Sequence, residues 1–142
     1  LRNSSAASDV YKRQILGNQL FPLDNIRKSG CNNVFMAEDM DLCTYVKHHK
    51  QKIAFFLTAM RNYRDELISN EYNVLYQQLD DNLEKLTYLE KLDKVITDKQ
   101  ISEVKFFDIP DKLFRNKILG YLEKNKIKYT ILNSPMFLLA DN

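Results

Sequence analysis

Short apolar runs alternate with longer amphipathic ones along this chain, and the two spacings predict different elements. Ile15-Leu16-Gly17 reads as the end of a strand entering a glycine turn, and Asn33-Val34-Phe35-Met36-Ala37 as a second, buried strand followed by the acidic Glu38-Asp39-Met40-Asp41. From about Thr44 to Ser69, Val46, His49, Ile53, Phe56, Leu57, Met60, Arg64 and Leu67 recur at three- and four-residue steps, which predicts a long helix with one apolar face. Asn73-Val74-Leu75-Tyr76 predicts a third strand, and Asp80-Asp81-Asn82 a loop. Thr87 and Glu90 have capping-box spacing, so a helix is expected to start there with Leu89, Leu92, Val95 and Ile96 inward. Glu103–Phe107 is the fourth strand, and Asp108 to Asp111 turns into a helix over Lys112–Lys124 with Leu113, Ile118, Tyr121 and Leu122 inward. Lys128–Leu132 is the fifth strand, stopped by Asn133-Ser134-Pro135.

Strands separated by connections long enough to hold a helix predict parallel pairing. With right-handed crossovers, the expected fold is α/β: a Rossmann-like open parallel five-stranded sheet with helices on both faces. Ligands in such sheets sit in the crevice beyond the carboxyl ends of the strands. Those ends are Gly17-Asn18-Gln19, Glu38 to Thr44, Gln77 to Asp81, Phe107 to Asp111 and Asn133 to Pro135, and a site is expected among them.

Composition agrees with one folded unit. The 142 residues are 44% hydrophobic, with eight Tyr and eight Phe, enough for a core and too many for a disordered chain. No apolar run approaches the roughly 20 residues a membrane-spanning helix needs. Cys31 and Cys43 are too few for a disulfide framework, which favours a reduced, cytoplasmic setting.

Residues 1–14 differ in kind, being rich in Ser and Ala and poor in large apolar side chains; they resemble translated adapter sequence and are expected to be a non-native or disordered tail. They carry Arg2, Lys12 and Arg13 against Asp9, so the 21 basic and 19 acidic residues of the chain become 18 of each beyond the tail. The remainder is formally neutral, and overall charge gives no case for nucleic-acid binding.

Several candidate groups allow two readings. Gly17 serves either as a sharp turn or as a ligand contact, with Asn18 and Gln19 beside it. There is no Gly-x-Gly-x-x-Gly and no phosphate loop, which argues against dinucleotide and nucleoside-triphosphate sites of those kinds. His48 and His49 are adjacent and on a helix diverge by about 100°, so they do not form a paired metal site. His49 lies on the apolar stripe, either as a buried, hydrogen-bonded side chain or positioning a ligand. Lys47, Lys50 and Lys52 form either an ion-pair cluster with Glu38, Asp39 and Asp41 or a contact for phosphate or a partner domain. Cys43, ahead of the helix, has no Cys-x-x-Cys partner, and no Gly-x-Ser-x-Gly elbow supplies a serine nucleophile.

Ile15-Leu16-Gly17-Asn18-Gln19-Leu20 is similar to the Leu-Gly-Asp-Gln-Leu opening of the photolyase-related proteins, the bacterial branch of the cryptochrome/photolyase superfamily that carries an iron–sulfur cluster. Thr44-Tyr45-Val46-Lys47-His48-His49-Lys50-Gln51-Lys52-Ile53, followed by Ala59-Met60-Arg61, resembles that family's Tyr-Val-x-His-His-Lys-x-Lys-Ile and Ala-Met-Arg blocks. Tyr72, Val74, Tyr76, Asp80-Asp81 and Ser134-Pro135-Met136-Phe137-Leu138 follow in the expected order.

The resemblance implies that residues 15–138 are an N-terminal α/β antenna domain, with residues 139–142 leading into a linker. A C-terminal helical domain is then expected to hold FAD and a four-iron four-sulfur cluster, to bind damaged DNA, and to split pyrimidine (6-4) photoproducts with blue light. This part alone is not expected to be catalytic, and an apolar surface is expected where the helical domain docks. In members with a ribityllumazine antenna, the resemblance places the chromophore at Gly17, Asn18, Gln19, Glu38, Asp108 and Pro110. Asn18 stands where the family motif has aspartate, and Leu42 where a glutamate is expected. The alternative reading is a free-standing Rossmann-like ligand-binding or regulatory module.

Overall fold

The computed structural model describes residues 13–16, 20–39, 50–79 and 86–135. Five strands, β1 (Arg13–Leu16), β2 (Asn33–Ala37), β3 (Asn73–Gln77), β4 (Glu103–Phe107) and β5 (Lys128–Leu132), alternate with four helices, α1 (Leu23–Lys28), α2 (Lys50–Ser69), α3 (Tyr88–Lys99) and α4 (Lys112–Lys124). The strands form one sheet in the order β3-β2-β1-β4-β5. All four pairings are parallel, so every strand delivers its carboxyl end to the same rim.

β2 shows why the sheet is covered on both faces. All five of its residues are buried, and successive side chains point to opposite sides. Val34 and Met36 enter a core with Ile26 of α1 and Met60, Tyr63 and Leu67 of α2. Phe35 and Ala37 enter a second core with Tyr88, Leu92, Val95 and Ile96 of α3 and Ile118 and Leu122 of α4. Across the first core Tyr63 donates its hydroxyl to the Phe21 carbonyl at 2.6 Å, and burial pushes its pKa up to about 12.

The strand spans and the starts of α3 and α4 follow the sequence closely; four details do not. β1 begins at Arg13, so the sheet takes in Arg13 and Gln14, which composition alone assigns to the tail; they pair with Glu103 and Val104. A ladder of backbone hydrogen bonds accepts polar residues as readily as apolar ones. α1 has no periodic signal because it is only six residues long, and its Pro22 N-cap makes no side-chain bond. Leu113, expected inward, is 66% exposed, and Phe114 packs on the core in its place. Phe56, on the predicted inner stripe of α2, is 40% exposed. The segment 44–49 of the predicted long helix, with Val46, His48 and His49, lies outside the described residues, as does Cys43.

α3 has the predicted capping box: Thr87 Oγ1 accepts from the Glu90 amide at 3.3 Å, and Glu90 Oε2 accepts from the Thr87 amide at 2.9 Å. It ends on Gln100 in the left-handed region, φ 53°, whose amide donates to Ile96. Glu71 and Lys126 make the same left-handed exit from α2 and α4.

Thr87→Ala is expected to lower unfolding free energy by about 1 kcal/mol through loss of the cap. Leu113→Ala should change it by less than about 0.5 kcal/mol, as for an exposed side chain. Urea denaturation of both variants checks the pair, and a large loss for Leu113→Ala would contradict its exposure.

Candidate functional site

The chain builds the sheet outward from β1 through β2 to β3, then returns to lay β4 on the other side of β1. In open parallel sheets whose strand order reverses beside the first strand, ligands sit at the carboxyl rim. The strand-end segments predicted from sequence meet along this rim where they are described. Glu38 follows β2, Gln77 ends β3, Asp108 to Pro110 follow β4, and Asn133 to Pro135 follow β5. Gly17, Asn18 and Gln19 lie outside the described residues.

Glu38 is wholly buried at the mouth of β2. Its amide donates to the Gln77 carbonyl at 2.9 Å, extending the β2–β3 ladder by one residue. Its carbonyl accepts from Lys91 Nζ at 2.6 Å, a lysine buried on the inner face of α3. Its Oε1 accepts from Arg61 Nε at 2.7 Å and from the Tyr76 hydroxyl at 2.6 Å. Its Oε2 accepts from Arg61 Nη2 at 3.0 Å and the Leu79 amide at 2.9 Å.

Each oxygen of this carboxylate thus receives two donors, about its full capacity. Expected from sequence as a ligand contact, Glu38 instead spends its side chain on the protein's own groups. Burial alone would raise its pKa, but the bonds from Arg61, the Leu79 amide and Tyr76, with the Arg61 charge, outweigh that and hold it below the ordinary 4.5. Arg61 is pushed further up by the same pair. Tyr76 is also raised, first by burial and then by its bond to Glu38. The Arg64 guanidinium lies 4.8 Å from the Tyr76 ring centroid, in cation–π contact.

Asp108 and Pro110 occupy the β4 side. The Asp108 amide donates to the Leu132 carbonyl at 2.9 Å, and its half-exposed carboxylate is ion-paired to Arg115 Nε at 3.3 Å. Pro110 is exposed, and Asp111 next to it caps α4 by accepting from the Leu113 and Phe114 amides at 3.0 and 3.2 Å. On the β3 side, Gln77 Oε1 is buried without a hydrogen-bond partner. A buried amide oxygen in that state costs about 1–3 kcal/mol, so it is an acceptor in want of a donor.

Sequence reasoning missed Arg61, Tyr76 and Lys91 as members of this cluster. Lys91 had one local signal, its place on the inward stripe between Tyr88 and Leu92. The Glu38 contacts span 23 to 53 positions and leave no local pattern. Among the described residues no set of three His, Cys, Asp or Glu side chains is placed to hold a metal ion, and no helix is long and apolar enough to cross a membrane.

The sequence profile described as deoxyribodipyrimidine photo-lyase-related protein matches residues 13–142. Over 128 residues the chain is 30% identical to a (6-4) photolyase of Agrobacterium fabrum, covering 87% of this chain and 25% of that protein. The chain therefore spans about a quarter of the length of the curated relative it matches.

Glu38→Gln keeps the shape of the side chain but removes its charge and gives the Leu79 amide or Tyr76 hydroxyl an NH₂ group to face. The expected cost is about 2–4 kcal/mol, below the full value for a buried pair because Arg61 is partly solvated. With its folded pKa depressed, Glu38 stabilises fully above its unfolded value near 4.5 and loses that contribution as pH falls through the folded value. Thermal melts from pH 7 to pH 3 should fall less steeply below pH 4.5 for Glu38→Gln than for the parent; parallel curves would show that Glu38 does not carry this dependence.

Proposed function

The chain belongs to the deoxyribodipyrimidine photo-lyase-related protein family, and on that premise we propose that it is the N-terminal antenna and scaffold domain of a light-dependent DNA photolyase. Repair of pyrimidine photoproducts is assigned to FAD in a C-terminal helical domain, and this domain alone is not catalytic. The observation that carries the reading is the family match running from β1 to residue 142, over a length that is a quarter of the (6-4) photolyase. That match favours it over a free-standing Rossmann-like module.

A ribityllumazine at the carboxyl rim would absorb blue light and pass the excitation to FAD. The rim residues fit part of that group. Gln77 Oε1 is a buried acceptor suited to a ring N–H, and Asp108, held by Arg115, is a half-exposed carboxylate suited to a ribityl hydroxyl. Pro110 offers an exposed apolar edge beside it. Glu38 contributes by fixing where the chain leaves β2 and β3, since its oxygens are already engaged. Gly17, Asn18 and Gln19 remain part of the proposed lining by resemblance, as the turn after the central strand.

FAD and the four-iron four-sulfur cluster belong, in this reading, to the helical domain, which is also the partner through which damaged DNA is met. The helical domain docks on this one, and the setting is cytoplasmic.

The purified chain, titrated with 6,7-dimethyl-8-ribityllumazine, is expected to show weak but saturable quenching of the chromophore's fluorescence. It should retain no FAD through gel filtration and leave a (6-4) lesion in an oligonucleotide intact under blue light. Unchanged lumazine fluorescence would remove the antenna role, whereas bound flavin with lesion repair would overturn the division of labour between domains.

A further inference from the structure

Charge is unevenly distributed over a chain that is formally neutral beyond its tail. α3 carries three basic and three acidic residues, whereas residues 111–126, which take in α4, carry five basic against two acidic. Of those five, Arg115 is tied to Asp108. The other four, Lys112, Lys117, Lys124 and Lys126, are exposed, and among the described residues their ammonium groups have no hydrogen bond or ion pair. The acids nearby are turned to other donors. Asp111 caps the α4 amides, Glu123 accepts from the Tyr129 hydroxyl, and Asp93 of α3 accepts from the Tyr121 hydroxyl.

The packing of α4 gives no reason for this pattern. Ile118 and Leu122 are buried, and Gly120, two steps of about 100° from each, lies on the opposite side of the helix. Leu113, Lys117, Gly120 and Lys124 recur at steps of four, three and four, so they form one outer stripe roughly 16 Å long, with Lys112 on its flank. Lys112 stands at the end of the helix where the dipole least favours a cation. A glycine inside a helix weakens it, yet a Cβ at Gly120 would meet nothing within 4 Å, so no neighbour requires its absence. Gly120 leaves a low, open spot between two lysines that are about 10 Å apart along the axis.

A row of unpaired cations around a low spot fits a polyanion that comes close to the helix. Duplex nucleic acid is such a partner, with about one charge per 1.7 Å of its axis whatever its sequence. A helix lying on a membrane surface needs a broad apolar face turned outward, and the outer stripe of α4 offers only Leu113, 66% exposed. A protein partner fits less well too, because lysine is depleted at the centre of protein interfaces. We propose that the outer face of α4, with Lys112, Lys117 and Lys124 around Gly120, holds the phosphate backbone of double-stranded DNA without regard to sequence or damage. The choice of DNA rests on the photolyase reading, but the surface is independent of the antenna, and recognition of the lesion stays with the helical domain.

Titration of a short, labelled, undamaged DNA duplex with the full chain, read by fluorescence anisotropy at low and physiological salt, tests it. Combining Lys112→Gln, Lys117→Gln and Lys124→Gln should weaken binding at low salt by about tenfold or more, and should flatten the slope of log affinity against log salt by about 1 for each lysine removed. Gly120→Glu sets a carboxylate into open space between Lys117 and Lys124; it should weaken binding while raising the melting temperature, which separates lost binding from lost folding. Combining Lys50→Gln, Lys52→Gln and Lys94→Gln removes the same charge from exposed positions on α2 and α3, and should leave affinity within about threefold of the parent. The cations of residues 1–13 are common to every variant, so differences among them report on the helices. Equal affinity for the parent and both α4 variants, or an equal loss in the α2 and α3 combination, would overturn the assignment. So would capture of the parent by phosphatidylserine vesicles without duplex binding. A parent that binds no duplex removes this surface and leaves the antenna reading, which the lumazine titration tests, standing.

Discussion

A buried carboxylate at the end of β2 organises this domain. Glu38 is taken out of water, a costly step that is tolerated only because donors from four directions meet it. Arg61 comes from α2, Tyr76 from β3, the Leu79 amide from the segment after β3, and Lys91 reaches the carbonyl of the same residue from α3. The helices on the two faces of the sheet are otherwise held in separate cores. At Glu38 they are tied to one point of the backbone.

That arrangement also sets the chemical character of the rim. Tyr76 is the hinge of the cluster: its hydroxyl feeds Glu38 while its ring carries Arg64. Among the described residues on this side of the rim, the Glu38 charge is met by that of Arg61. On the opposite side, Asp108 and Arg115 form a second, more solvated pair.

The sheet was legible in the sequence to a degree the site was not. β2, β4, β5 and α4 fall on their predicted spans because each is a run whose period or apolar continuity is decided by immediate neighbours. Thr87 and Glu90 announced the start of α3 for the same reason, since both halves of a capping box lie within one turn. Left-handed exits at Glu71, Gln100 and Lys126 gave no glycine signal, yet each lies at the junction where a helix gives way to a strand. Phe56 and Leu113 were misplaced because periodicity tells which side of a helix a residue is on, without telling how far the opposing surface extends. Glu38 drew notice as an acidic residue at a strand end, but its role depends on partners 23 to 53 positions away, and those only the fold assembles. The position of the rim was thus readable, and the occupancy of its polar atoms was not.

The strand order has a consequence for how the domain is made. β1, translated first, lies in the middle of the sheet, and its second neighbour is β4, so Arg13 must wait for Glu103 before the ladder on that side can close. Until then the most interior strand has one open edge, and the second core of β2 lacks Val104, Phe106 and the residues of α4. Assembly of such a parallel sheet is dominated by distant pairings, which form slowly and all at once. A nascent chain halted before β4 would keep its central backbone unpaired, the state in which sheet proteins are captured by chaperones or by one another.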